Sequence, residues 1–146
     1  IMRKRGLSLD EMNTRMNKQS GILGIFGESS DFRDLDTARR SGNEKAQLAY
    51  EMFCYRIQLY IGAYVAAMNG VDAIAFTGGI GENSVGVKKH ICESLSHFGI
   101  ELDEEKNAQR LPGNIELSTK NSKVKIYKIE TAEELVIARD TYRLTK

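Results

Sequence analysis

"AIAFTGGIGEN", residues 73–83, decides the fold. Its first four residues are apolar without interruption, which matches a short parallel strand buried on both faces. Gly78, Gly79 and Gly81 follow, and then a stretch with helical spacing runs over 84–98 and closes at Gly99. Strand, glycine turn and helix make the unit found in open α/β sheets, where ligands lie beyond the carboxyl ends of strands. Helix N-termini present free backbone N–H groups, and missing Cβ atoms let a ligand rest against the chain. The same glycines also suit a tight turn that binds nothing, and spacing alone leaves both readings open. No Gly-Lys-Ser/Thr follows, so this is not a Walker-type phosphate loop. Nor is it G-x-G-x-x-G, because the residue three past Gly81 is Ser84.

Downstream, Val124, Ile126 and residues 127–129 predict a second strand, followed by a final helix over 131–143. Two strands seldom form an independent sheet. Further strands are expected upstream of Ile1, and a chain that starts at Ile1 reads as part of a longer polypeptide. Upstream of the glycine segment, Ala46, Ala49, Phe53, Ile57, Tyr60, Ile61, Tyr64, Val65 and Met68 recur every three or four residues and stop at Asn69-Gly70. They predict one long helix with a C-terminal glycine stop. Its wide apolar face is assigned to the core, with a second subunit as a further use. Ser8 and Glu11 have capping-box spacing and open a helix toward Lys18. Ser29, Ser30 and Asp31 are candidate caps for a helix through Arg40. "GILGIFG", residues 21–27, is left unassigned between strand, turn and loop.

The 146 residues carry 21 basic and 20 acidic side chains, for a net charge of +1. That balance argues against a nucleic-acid footprint or an anionic-membrane surface. With 41% apolar residues and one proline, the composition is that of a folded, helix-rich domain. Cys54 and Cys92 fall at apolar helix positions, which predicts reduced thiols and a cytoplasmic setting. No signal peptide or membrane-length apolar run is visible.

Several side chains carry possible chemistry. Asp31-Phe32-Arg33 joins a carboxylate, an apolar ring and a bidentate donor, the groups a nucleotide wants for ribose, base and phosphate. It also reads as a capped loop with a core Phe and a surface Arg. Thr131 and Glu134 have capping-box spacing, which leaves Glu133 without a structural task; a carboxylate there suits Mg²⁺ or, more simply, the helix dipole. His90 and His97 have no carboxylate or cysteine cluster beside them and read as packed or solvated. Lys88 and Lys89 sit within reach of a phosphate on the glycine turn, though such lysines are usually solvated.

Three segments in this order, "LSLDEMNTRMNKQSGILGIFGESSDFRD", "FTGGIGENS" and "IETAEELVIARDT", resemble the acetate kinase family of the acetate and sugar kinase, Hsp70 and actin superfamily. The resemblance covers residues 6–144. It implies the C-terminal, nucleotide-binding portion of an RNase-H-like, actin-like ATPase domain, with a mixed sheet, flanking helices and strands missing upstream. It implies transfer of the γ-phosphoryl group of ATP to acetate, giving acetyl phosphate and ADP, reversibly and with Mg²⁺. Asp31, Phe32 and Arg33 match the family's nucleotide loop. Gly79, Ile80, Gly81, Glu82 and Asn83 match its adenosine pocket, with Val87 and Lys88 flanking the base. Glu133 matches the magnesium-associated carboxylate.

Two departures stand out. Glu130-Thr131-Ala132-Glu133-Glu134 replaces the family's frequent Pro-Thr-Asn-Glu-Glu, and Lys88 stands where arginine is common. The family's acyl pocket, phosphate-stabilising histidine and arginines, and second metal carboxylate cannot be placed in residues 1–146, so the chain alone is expected to be nearly inactive. The resemblance also implies a homodimer, with the helix over 43–68 at the interface, and a final helix in 131–146 that packs toward a missing N-terminal lobe. Alternatives are a propionate or other short-chain acyl kinase, or a non-catalytic dimerisation or scaffold fragment. A dinucleotide-binding oxidoreductase is set aside because Glu101 follows a helix and not a strand.

Overall fold

The computed structural model describes all residues, Ile1–Lys146, as two compact units, Ile1–Ile57 and Gln58–Lys146. The first is helical. It contains α1 (Met2–Arg5), α2 (Leu9–Lys18), α3 (Gly21–Phe26), α4 (Phe32–Arg40) and the beginning of α5 (Glu44–Met68), which continues into the second unit.

Local chemistry explains most of these boundaries. The Ser8 side chain accepts the Glu11 N–H while the Glu11 carboxylate accepts the Ser8 N–H at 2.8 Å, closing the expected capping box. Residues 21–26, left open by sequence, form α3. Asn43 accepts the Ala46 N–H and starts α5. Asn69 and Gly70, at φ 58° and 139°, stop it.

The assignment of the whole apolar face of α5 to the core needs correction. Ala46, Ala49, Tyr50 and Cys54 are buried, but Tyr55, Leu59, Tyr60, Tyr64 and Met68 are exposed, Tyr64 at 62% and Met68 at 63%. The helix is longer than the buried surface this chain provides for it.

The second unit holds β1 (Ala73–Phe76), α6 (Gly78–Asn83), α7 (Val85–Ser94), α8 (Glu104–Gln109), β2 (Ile115–Glu116), β3 (Lys125–Lys128) and α9 (Glu133–Leu144). A mixed three-stranded sheet has the order β1-β3-β2, with β1 parallel and β2 antiparallel to β3. Ile74 registers with Ile126 and Phe76 with Lys128. This is the mixed α/β class expected from the sequence. Burial of β1 on both faces is not found: Phe76 is buried, whereas Ala73 and Ala75 are exposed. As an edge strand, β1 has one long side unpaired in this sheet. The sequence reading also passed over β2, only two residues long, and α8, whose residues are polar apart from Ala108.

Val87, Ile91, Cys92, Leu95 and Ile126 are buried in this unit. Both α6 and α8 pack against α7. No helix is long and apolar enough to cross a membrane.

Candidate functional site

Residues 77–83 leave β1 and become a short helix, not the turn expected from the glycines. Thr77 is extended, and Gly78 begins α6 at φ 70°, a conformation that glycine tolerates best. Gly81 has a different reason: a Cβ there would lie 3.2 Å from the carbonyl carbon of Phe76, so α6 folds against the end of its own strand. Gly79 has neither reason. Its φ is unexceptional, it is exposed, and a Cβ would meet nothing within 4 Å. The chain's own packing does not require glycine there, and the open side leaves its backbone approachable.

The other end of α6 is held from beneath. Lys88, on α7, is only 2% exposed, and its ammonium donates to the carbonyls of Gly81 at 3.1 Å and Glu82 at 2.9 Å. Those carbonyls belong to the last turn of a helix, where a cation is favoured. Burial, with Lys128 and Arg110 adding repulsion, pulls the Lys88 ammonium down from its ordinary 10.5 to about 8. Asn83 braces the same turn, its Nδ2 donating to the Gly79 carbonyl at 2.9 Å. Ile80 is half-buried.

Val87 and Lys88 therefore face inward, Val87 at 1% exposure. The solvated or base-flanking lysine of the sequence reading is here an interior support for α6, because the carbonyls at the end of α6 take up its charge. Lys89, by contrast, is partly exposed and pairs with Glu104.

Glu82 reaches across the unit. Its Oε1 accepts the Thr131 N–H at 3.0 Å and the Thr131 hydroxyl at 2.8 Å. These two bonds, the backbone one first, hold the Glu82 carboxyl below the usual carboxylate range. They also overturn the capping box expected of Thr131 and Glu134: α9 has Ala132 at its N-cap and no side-chain cap. The Thr131 N–H, which a capping box would give to Glu134, goes instead to a residue 49 positions away, a partner no local pattern could reveal. Glu133 stands at the first position of α9, exposed. No group of three or more His, Cys, Asp or Glu side chains that could hold a metal exists in the chain. A single exposed carboxylate still suits Mg²⁺, which commonly takes one or two protein carboxylates and fills its shell with water and phosphate oxygens.

The Glu130 departure acquires a partner. Its Oε1 accepts the Gly113 N–H at 2.6 Å and faces the Lys128 ammonium at 3.2 Å, so the added charge is neutralised locally. Lys128, 8% exposed, also donates to the Leu111 carbonyl. The sequence analysis did not single out this lysine, although it falls in the alternating register of the buried Val124 and Ile126.

In the first unit, Asp31 caps α4 through the Arg33 N–H at 2.8 Å. The Arg33 guanidinium closes on the same carboxylate, Nη2 to Oδ2 at 2.6 Å, while its side chain stays 90% exposed. The side-chain bonds from Arg33, then its N–H, lower the Asp31 carboxyl to about 2. Phe32 packs against Phe53 and Tyr50 at centroid distances of 4.9 and 5.9 Å. The trio thus has the capped-loop structure, with an exposed guanidinium at its surface.

The sequence profile of the Acetokinase family matches residues 1–139. The chain belongs to the acetokinase family. It is 57% identical over 146 residues to an acetate kinase of Fusobacterium nucleatum, covering 100% of this chain and 37% of that relative. Among solved structures, the acetate kinase of Porphyromonas gingivalis superposes with a TM-score of 0.86 at 41% identity, covering 99% of this chain and 36% of that one. A propionate kinase from Francisella tularensis gives 0.83 at 38% identity, covering 94% of this chain and 35% of that one. The chain spans little more than a third of the length of the acetokinase relatives it matches.

Proposed function

We propose that this chain is the nucleotide- and magnesium-binding portion of an acetate kinase, a cytoplasmic phosphotransferase that moves the γ-phosphoryl group of ATP to acetate and back. The observation that carries this reading is Gly79, a glycine that the chain's own packing does not need, exposed at the start of α6. It lies inside "FTGGIGENS", one of the three segments that resemble the acetate kinase family, in a chain that belongs to the acetokinase family.

Residues 79–83 would take the adenosine part of ATP or ADP, with the backbone of Gly79 and Gly81 as the contact surface. Lys88 and Val87 would support that surface from the interior. Asp31, Phe32 and Arg33 are each proposed as nucleotide contacts in their own unit, with the Arg33 guanidinium available to a phosphate. Glu133 would hold Mg²⁺, directly or through water, and the ion would supply charge neutralisation on the phosphates. Phosphoryl transfer depends mainly on positioning and charge stabilisation. The groups that would hold the carboxylate acceptor cannot be placed in this chain, so it is expected to be nearly inactive alone.

Two surfaces fit partners. The exposed Leu59, Tyr60, Tyr64 and Met68 of α5 suit a second copy in a homodimer, and the exposed Leu135, Val136, Ile137 and Tyr142 of α9 suit an N-terminal lobe. Propionate remains a second acceptor, favoured by the 38% identity to the Francisella propionate kinase.

Calorimetric titration with ADP, with and without Mg²⁺, tests the reading. One-site binding that weakens in Asp31→Ala and Asn83→Ala chains that stay folded supports it. A folded chain that takes up no ADP, or variants that bind as well as the parent, would point to a scaffold fragment.

A further inference from the structure

The start of α9 has no cap of its own. Ala132 supplies no side-chain hydrogen bond, and the helix is exposed along its whole length, so burial does little to hold its first turn. Glu130 is tied to the 113–114 segment, its N–H donating to Asn114 Oδ1 at 3.0 Å. Thr131, between Glu130 and the helix N-cap, is held by the Glu82 carboxylate through its N–H and hydroxyl. Glu82 is itself fixed at its backbone, because the buried Lys88 ammonium holds its carbonyl. One residue therefore joins the segment proposed to meet the nucleotide to the backbone two positions before Glu133.

We propose that Glu82 is a positioning residue that sets the Glu133 carboxylate relative to a nucleotide on α6, with Thr131 as the donor it holds. The proposal rests on the nucleotide reading above and adds how the nucleotide and magnesium groups are kept in register. Two bonds to one charged oxygen fix both the position and the direction of the α9 entry, which a single contact would leave free to swing. A capping box between Thr131 and Glu134 would have secured the helix but not its relation to α6.

The test uses Thr131, which is exposed and outside the proposed contacts. Thr131→Val removes the hydroxyl and keeps the shape; Thr131→Ser restores the hydroxyl. Titration with ADP, with and without Mg²⁺, is paired with hydrogen exchange of residues 78–83 and 133–136. The magnesium-dependent gain in ADP affinity is expected to fall about tenfold in Thr131→Val, the loss of one bond to a charged group. Thr131→Ser should stay within about twofold of the parent, because the hydroxyl bond is retained. ADP with Mg²⁺ should slow exchange in 133–136 for the parent and Thr131→Ser, and not for Thr131→Val. If ADP protects 78–83 in the parent without reaching 133–136, or if Thr131→Val keeps the full magnesium gain, the positioning role is wrong while the nucleotide reading stands. If the folded parent takes up no ADP, both fall together.

Discussion

The Lys88 ammonium lies 2.9 Å from the carbonyl oxygen of Glu82, with almost no access to solvent. A buried cation is costly unless its hydrogen bonds are supplied. Here the last carbonyls of α6 supply them, and the cation in turn satisfies acceptors that the helix leaves open.

Replacing Lys88 with Met keeps much of the volume and removes that donor. Two carbonyls then lose their partner, and the expected cost is roughly 1–3 kcal/mol of folding stability. The pH dependence carries a sign. The folded-state value of about 8 lies below the ordinary 10.5, so between these limits the unfolded chain binds more protons and the group's contribution to stability rises with pH. Urea unfolding at pH 7 and pH 9.5 should show the parent gaining on Lys88→Met at the higher pH. A constant difference between the two would remove the buried ammonium from the account.

Gly81 and Gly79 should respond differently to the same substitution. Gly81→Ala forces a Cβ against the Phe76 carbonyl carbon and should cost about 1–3 kcal/mol. Gly79→Ala meets open space and should leave stability unchanged or raise it by up to about 1 kcal/mol. Its ADP affinity should nonetheless drop, because the new methyl covers the backbone the nucleotide would approach. Thermal unfolding and ADP titration on both variants separate the two effects.

Asp31 is held near pKa 2 by Arg33. A lowered carboxylate value contributes stability above the unfolded value, near 3.8, that is lost as pH falls through the folded one. Asp31→Asn keeps an oxygen for the cap and removes the charge, so its melting temperature should converge with that of the parent as pH drops from 4 toward about 2. Melting curves that keep their separation across this window would assign the stability to the cap alone.

Cys54 and Cys92 are buried, and burial pushes their thiols up to about 11 and about 12. The thiolate is the reactive form. Neither cysteine should react with a disulfide reagent at pH 8 in the folded chain, and both should react promptly in urea. Fast labelling of either without denaturant would contradict the packing of α5 or α7.

Features with local causes were legible. Ser8 and Glu11 lie three residues apart and close their capping box within one turn. Asp31 caps α4, the periodicity from Ala46 marks α5, and Asn69-Gly70 ends it. Features with distant causes were not. Thr131 has the spacing for a capping box with Glu134, but the N–H that the box would give to the Glu134 carboxylate is taken by the Glu82 carboxylate. Lys88 and Lys128 look like surface lysines until backbone carbonyls close around their ammonium groups. The outward face of α5 has the pattern of a core, because periodicity records which residues are apolar and not what covers them.

The sequence by itself determined the helix starts and stops, the strand-glycine-helix order around residue 78, the charge balance and the family resemblance, since each depends on neighbours along the chain. Tertiary structure alone decided which lysines are interior, which carboxylate holds the entry of α9, and that Gly81 is needed for packing while Gly79 is not. Those outcomes depend on groups far apart in sequence competing for the same hydrogen bonds and the same space.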